Sequence, residues 1–304
     1  MGRRSVSLRH PAPTGFAKTH SQLRIAVVQC ALGDSRDVNV ARVQTLVREA
    51  AKQGGRIILT PELFEGPYVP QTEDERAFEL AAPVEGHPTI AAMQALAAEL
   101  DVVLPVSIFE RAGQAFYNTV VIVDADGAVL GSYRKSHIPD GPGYEEKFYF
   151  RPGETGFRVW NTRHGRIGVG ICWDQWFPEA ARAMALQDAE ALLYPTAIGS
   201  EPAAPHDDTS KPWRRVMLGH AVANAMPVAA ANRIGVEREL DFYGSSFICD
   251  QRGDIQAELG RDEEGVGVAT FDREALRRYR ASWGFFRDRR PDLYGELTSD
   301  ETPD

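Results

Sequence analysis

Short apolar runs that stop abruptly at a polar, glycine or proline residue, alternating with segments of helical period, constrain this chain more than any other feature. Arg24 to Cys30 (RIAVVQC) reads as a strand, punctuated by Gly33 and Asp34. Val40, Val43, Leu46 and Val47 then fall at helical spacing, predicting a helix over Asn39 to Gln53 that Gly54-Gly55 ends. Arg56 to Thr60 (RIILT) is a second buried strand, halted by Pro61 just before Glu62. Thr89 to Leu100 predicts a helix and Val102 to Phe109 a strand. This β-α-β-α-β order points to a layered α/β fold.

Tyr117 to Asp124 and Ala128 to Tyr133 flank Asp126-Gly127, a strong hairpin signal, so the sheet is mixed. A long proline- and glycine-punctuated connection, Arg134 to Thr155, follows; loops of that length in compact domains are usually functional. The second half repeats the first loosely. Strands are expected at Arg166 to Cys172, Ala191 to Tyr194, Pro227 to Ala231, Ser245 to Cys249, Ile255 to Leu259 and Gly267 to Phe271. Helices are expected at Pro178 to Gln187 and Pro212 to Ala225. No linker separates the halves, so the chain reads as one domain with two sheets face to face and helices outside.

Composition removes several function classes. With 34 Lys+Arg against 43 Asp+Glu the 304-residue chain carries a formal charge of −9, against a sequence-independent nucleic-acid partner. No apolar run approaches the roughly 20 residues of a membrane span. Cys30, Cys172 and Cys249 have no zinc or thioredoxin spacing, and an odd count fits a reduced, cytoplasmic protein. No two histidines stand four apart, so a histidine metal site is not expected. Residues 1–21 hold Arg3, Arg4 and Arg9 without an apolar stretch behind them, and read as a flexible leader rather than a signal peptide. The aromatic tail from Ser282 to Asp304 suggests packing on a neighbouring subunit.

Three strand ends carry reactive groups. Cys172 lies between a strand and a helix, where a helix dipole would lower a thiol's pKa; a lone cysteine is also commonly a small core hydrophobe. Glu62 stands at the carboxyl end of a buried strand, where α/β sheets place their sites. Lys135 closes the hairpin, in a chain with only five lysines among 34 basic residues. A nucleophile, a proton acceptor and a cation are the parts acyl transfer needs, though spacing alone does not bring them together. Trp173 and Trp176 could line a substrate channel or belong to the core, and His137 reads as structural.

PELFE at Pro61–Glu65, YRKSHIPDGPGYEEKFYFRPGETGF at Tyr133–Phe157 and GRIGVGICWDQWFPEAAR at Gly165–Arg182 resemble the three signature regions of the nitrilase-like carbon–nitrogen hydrolases, over roughly residues 23 to 290. The resemblance implies a four-layer α-β-β-α sandwich with mixed sheets, a hydrolase domain over 22–290 with a tail at 291–304, a homo-oligomer, and no metal or organic cofactor. It implies Cys172 as nucleophile, Glu62 as general base and acid, and Lys135 as oxyanion partner with the Trp173 backbone N–H. Glu146 matches the second glutamate such enzymes place beside the triad, with Glu145 as the neighbouring alternative. YPTAIGSEP at Tyr194–Pro202 and ANRIG at Ala231–Gly235 resemble members that act on a small carbamoyl-amine substrate, releasing the amine, CO2 and ammonia.

Members acting on carbamoyl amino acids typically carry two arginines after the nucleophile. The matching positions here are neutral, Gln175 and Trp176, which disfavours an anionic substrate. A catalytically silent binding protein on the same fold is disfavoured because all three triad residues are present. A distal ammonium would want a carboxylate in the pocket; the candidates are Glu201 and Asp140, both in loops after strand ends.

Overall fold

The computed structural model describes residues 21–299. The expected leader, save its last residue, and residues 300–304 of the expected tail lie outside the described residues. The first half holds β1 (Gln22–Gln29), α1 (Arg36–Lys52), β2 (Ile57–Leu59), α2 (Pro88–Leu100), β3 (Leu104–Ala112), β4 (Ala115–Val123) and β5 (Val129–Arg134). A single turn, α3 (Glu146–Tyr149), lies in the long connection. The second half holds β6 (Val159–Thr162), β7 (Gly165–Val169), α4 (Pro178–Leu186), β8 (Ala191–Pro195), α5 (Ser210–Asn224) and β9 (Val228–Ala231). It continues with β10 (Ile234–Glu237), β11 (Leu240–Tyr243), β12 (Phe247–Cys249), β13 (Ile255–Glu258), β14 (Gly265–Asp272) and α6 (Arg273–Trp283).

Two sheets result. β14-β1-β2 joins β3-β4-β5 through a short parallel bridge, Ile57 with Val103. The other runs β13-β12-β9-β8-β7-β6. Both are mixed: β1–β2, β7–β8 and β8–β9 are parallel, whereas β3–β4, β4–β5, β6–β7 and β12–β9 are antiparallel. The last strand, β14, pairs antiparallel along all of β1, tying the end of the domain to its start.

The two-residue period of each strand builds the layers. On β1, Leu23, Ile25 and Val27 join Ile167, Val169, Leu193, Ala229 and Ile248 in the core between the sheets. Ala26 and Val28 face the other way, onto Val43, Val47 and Ala50 of α1 and Met93 and Leu96 of α2. On the second sheet Leu192, Tyr194, Val228 and Phe247 face outward onto Met184 of α4 and Trp213 and Met217 of α5. The order of layers is α-β-β-α, as the resemblance implied.

Three elements escape the sequence reading. β6 is four residues long, the β10–β11 hairpin joins neither large sheet, and α6 has only Leu276 and Arg273 buried among its arginines. The third predicted strand, β3, belongs to an antiparallel meander, β3-β4-β5, and Val103 just before it bridges to β2. Cys30 and Cys249 lie in the two helix-facing cores, and burial pushes each thiol up to about 12.

Candidate active site

The carboxyl ends of β2, β5, β7 and β8 bring the site together. Glu62, three residues past β2, anchors its N–H on the Thr196 carbonyl at 3.3 Å, just past the end of β8. Leu63 then takes φ 48°, a left-handed conformation uncommon for a branched residue, and its N–H is held by Ser107 Oγ at 2.9 Å. Lys135 follows β5 directly, with its N–H on the Asn118 carbonyl at 2.9 Å and its own carbonyl accepting from Gly153 at 2.8 Å. A Cβ at Gly153 would stand 2.2 Å from the Arg134 carbonyl oxygen, so only glycine lets the long loop close against this strand end.

Lys135 is fully buried, and its Nζ donates to Glu62 Oε1 at 2.8 Å and to both oxygens of Glu146 at 2.8 and 2.7 Å. Both carboxylates are themselves fully buried. Tyr68 donates its hydroxyl to Glu146 Oε1 at 2.6 Å, and Asn118 Nδ2 donates to Glu62 Oε1 at 2.7 Å. Every carboxylate oxygen of this cluster is thus occupied except one, Glu62 Oε2, which is buried without a partner. Burial by itself would strip the Lys135 proton, but the facing charges of Glu146 and Glu62 outweigh it and hold the ammonium above its usual range. Glu146 is pushed up to about 7, by burial first and by Glu62 beside it, with Lys135 opposing. Glu145, the alternative, is only half-buried and leaves the Lys135 contacts to Glu146.

Cys172 occupies the first residue of a five-residue 3-10 turn, Cys172–Trp176, at φ 42°. Gly170 makes the approach to it possible, since a Cβ there would meet the Tyr194 ring at 2.9 Å and Asp174 at 3.2 Å. The expectation of a thiol acidified by a helix dipole is not met. The turn is too short, and burial followed by the charge of Glu62 pushes the thiol well above its ordinary range, against the pull of Lys135. Its Sγ lies 3.8 Å from the Ala197 carbonyl. Such a group is a thiol at rest and needs a neighbouring base to become a nucleophile.

Asp174, which the sequence reading passed over, pins this turn. One carboxylate oxygen accepts from the Ile171 N–H at 2.9 Å and the Tyr133 hydroxyl at 2.7 Å. The other accepts from the His137 N–H at 3.0 Å and meets His137 Nδ1 at 2.7 Å. Tyr133 and His137 flank Lys135 by two residues on either side, so one buried carboxylate ties the thiol's turn to the ammonium's strand. The Trp173 N–H precedes the first N–H bonded within the turn, that of Asp174 to the Ile171 carbonyl at 3.0 Å, and is open to an oxyanion.

The remaining candidates spread further. Gln175 is fully buried, with Oε1 accepting from Thr196 at 3.1 Å and Nε2 unpartnered. Trp173 is 39% exposed and meets the Trp176 ring edge-on, at 6.1 Å between centroids. Trp176 packs against the α4–α5 core. Glu201 is partly buried; burial raises its carboxyl and a hydrogen bond from Thr209 opposes this. The Tyr144 hydroxyl donates to the carbonyl of Ser200, next to Glu201, at 3.2 Å, and the Tyr144 ring lies 5.9 Å from that of Tyr68, whose hydroxyl bonds Glu146. Asp140 lies at the surface, 3.9 Å from the ammonium of Lys147. Among the described residues no group of three or more His, Cys, Asp or Glu has the arrangement of a metal site.

Residues 24–281 match the carbon–nitrogen hydrolase family. The chain belongs to that family. It is 56% identical over 290 residues to the N-carbamoylputrescine amidase of Solanum tuberosum, covering 93% of this chain and 97% of the relative. It is 50% identical over 281 residues to the citrullinase of Francisella tularensis, covering 91% of this chain and 98% of that one. The fold matches a carbon–nitrogen hydrolase from Helicobacter pylori G27 with a TM-score of 0.86 at 36% identity, over 92% of this chain and all of the other. Family membership and the buried Cys–Glu–Lys cluster make the chain an enzyme, a carbon–nitrogen hydrolase.

Proposed function

We propose that the protein hydrolyses N-carbamoylputrescine to putrescine, CO2 and ammonia, and that the unpartnered Glu62 Oε2 carries the chemistry. Held by Lys135 and Asn118 through its other oxygen, Glu62 keeps one oxygen free of any protein partner in a buried site. It takes the Cys172 proton as Sγ bonds to the carbamoyl carbon. The oxygen of the tetrahedral adduct gathers negative charge between Lys135 Nζ and the Trp173 N–H. Glu62 returns the proton to the departing amine as the carbon–nitrogen bond breaks, leaving a carbamoyl thioester on Cys172. Glu62 then deprotonates a water that attacks this carbon, and the thiolate leaves and is reprotonated. The released carbamate falls apart to CO2 and ammonia. Glu146 neither attacks nor leaves; with Tyr68 it holds the ammonium in place.

The two activities named among the relatives differ at the far end of the substrate. Citrulline ends in an ammonium and a carboxylate, N-carbamoylputrescine in an ammonium alone. The neutral Gln175 and Trp176 offer no partner charge for a carboxylate, and the carboxylate of Glu201 would repel one while attracting the amine. The test compares kcat/KM for N-carbamoylputrescine, citrulline and N-carbamoylbutylamine in the wild type and in Glu201→Gln. We expect the diamine derivative to lead strongly, and the substitution to raise its KM while leaving N-carbamoylbutylamine unchanged. Equal handling of N-carbamoylputrescine and N-carbamoylbutylamine by the wild type rules out the carboxylate pocket, and faster turnover of citrulline overturns the substrate assignment. The proposed homo-oligomer is supported by the exposed apolar side chains of Val236, Trp283, Leu293 and Leu297.

A further inference from the structure

Arg233 stands just beyond β9, in a segment the chemistry above leaves without a role. It is fully buried, and its guanidinium gathers three carbonyls of one loop: Glu62 at 2.7 Å, Leu63 at 3.0 Å and Gly66 at 3.3 Å. The first is the main chain of the residue that bears the free oxygen. The second belongs to the residue in the left-handed conformation that turns the loop. The counter-charge is Glu237, at 2.8 and 3.1 Å from Nη1. One oxygen of Glu237 also accepts the Tyr68 N–H at 2.7 Å, and it is the hydroxyl of Tyr68 that bonds Glu146. The guanidinium also meets the rings of Phe242 and Tyr68, 5.4 and 5.9 Å from their centroids.

We propose that Arg233 is a positioning residue, which with Glu237 fixes the Glu62 carboxylate against Cys172 and the Tyr68 hydroxyl against Glu146. Removing two charges from water is costly, and a well-packed apolar pair often serves a core as well. A buried pair aimed at the backbone of both carboxylate holders has a different use: it sets their geometry. Only a planar fork with several donors can bridge three carbonyls and a carboxylate at once, which an ammonium cannot. The inference rests on the proposed role of Glu62 as the base.

Three variants, Arg233→Met, Arg233→Lys and Glu237→Gln, are compared with Glu62→Gln for kcat and KM, for thermal stability, and for the rate at which iodoacetamide alkylates Cys172, with Cys172→Ala as the blank. Misplacing a reacting group by about 1 Å costs about a hundredfold in rate. R233M should lose kcat on that scale with KM within about threefold, and alkylation per folded molecule should slow in parallel. R233K should recover part of both, and E237Q should fall between R233K and R233M. If R233M does not fold, R233K and E237Q decide the matter by the same two readouts. A merely structural pair would lower activity only by lowering the folded fraction, leaving kcat and alkylation per folded molecule at wild-type values; that result overturns the proposal. Turnover persisting in E62Q would instead sink the role of Glu62, while an inactive E62Q beside fully active Arg233 variants would sink the positioning inference alone.

Discussion

Replacing Lys135 by methionine keeps an unbranched side chain one atom shorter and removes the charge on which the site is balanced. Three hydrogen bonds of 2.7–2.8 Å go with it, and two fully buried carboxylates are left facing each other with only Tyr68 and Asn118 as neutral donors. Breaking a buried ion pair by deleting one partner costs about 3–5 kcal/mol. The loss should be largest near pH 8, because Glu146, already pushed up to about 7 with the ammonium beside it, must otherwise stay ionised. As pH falls toward about 5.5 Glu146 can take up a proton, and the deficit should shrink. Catalysis loses a donor to the oxyanion, worth about 2.7–4 kcal/mol, or a hundred- to a thousandfold in kcat. Urea unfolding of wild type and K135M at the two pH values measures the first effect, and ammonia release measures the second. A stability deficit below about 1 kcal/mol at pH 8, or one equal at both pH values, would refute the counter-charge argument. Near-normal kcat in K135M would remove Lys135 from the oxyanion. Lys135→Arg should also lose most of its kcat, since a planar fork cannot replace a point charge in a site fully closed to solvent.

Other consequences follow from the same geometry. Cys172→Ala should abolish turnover without unfolding the protein, whereas Cys30→Ala and Cys249→Ala should keep activity, because both thiols lie in helix-facing cores; turnover in C172A within tenfold of wild type would end the thiol mechanism. Glu146 has a folded pKa raised from 4.5 to about 7, so its contribution to stability is fully present below about pH 4.5 and lost as pH rises through about 7. Glu146→Gln should therefore flatten the fall in melting temperature over that window, and parallel curves for the two proteins would count against the assignment. Asp174→Asn turns one of two acceptor oxygens into a donor facing donors already in place, each lost bond costing roughly 1–3 kcal/mol; an unchanged urea midpoint would show that the turn does not depend on it.

The strands and helices that form the layers were legible because each has the period of its own kind and one buried face. RIAVVQC, RIILT and RIGVGIC announce themselves as strands with no reference to anything else, and their ends locate Glu62 and Cys172. α6 was not legible, because arginines hold four of its eleven positions and only Leu276 is an apolar residue on its buried side. β6 and the β10–β11 hairpin are four-residue strands, too short for alternation to register. Asn118 carried a faint signal, a residue with poor strand propensity inside the apolar run of β4. Asp174 and Arg233 carried no signal of period or spacing, only their places within the GRIGVGICWDQWFPEAAR and ANRIG segments that bear the family resemblance.

By itself the sequence determined the reactive types and their places at strand ends, since these depend on local period and on the residues that stop a strand. Tertiary structure alone decided their electrostatics. The thiol is held neutral, the ammonium charged, the Glu146 carboxyl is pushed up and one Glu62 oxygen is left without a protein partner, because four strand ends from two sheets converge in a buried site. The interaction of charges at 2.7–2.8 Å in a buried site is fixed by distance and burial, and neither quantity exists until Lys135 is brought against Glu62 and Glu146, 73 and 11 positions away.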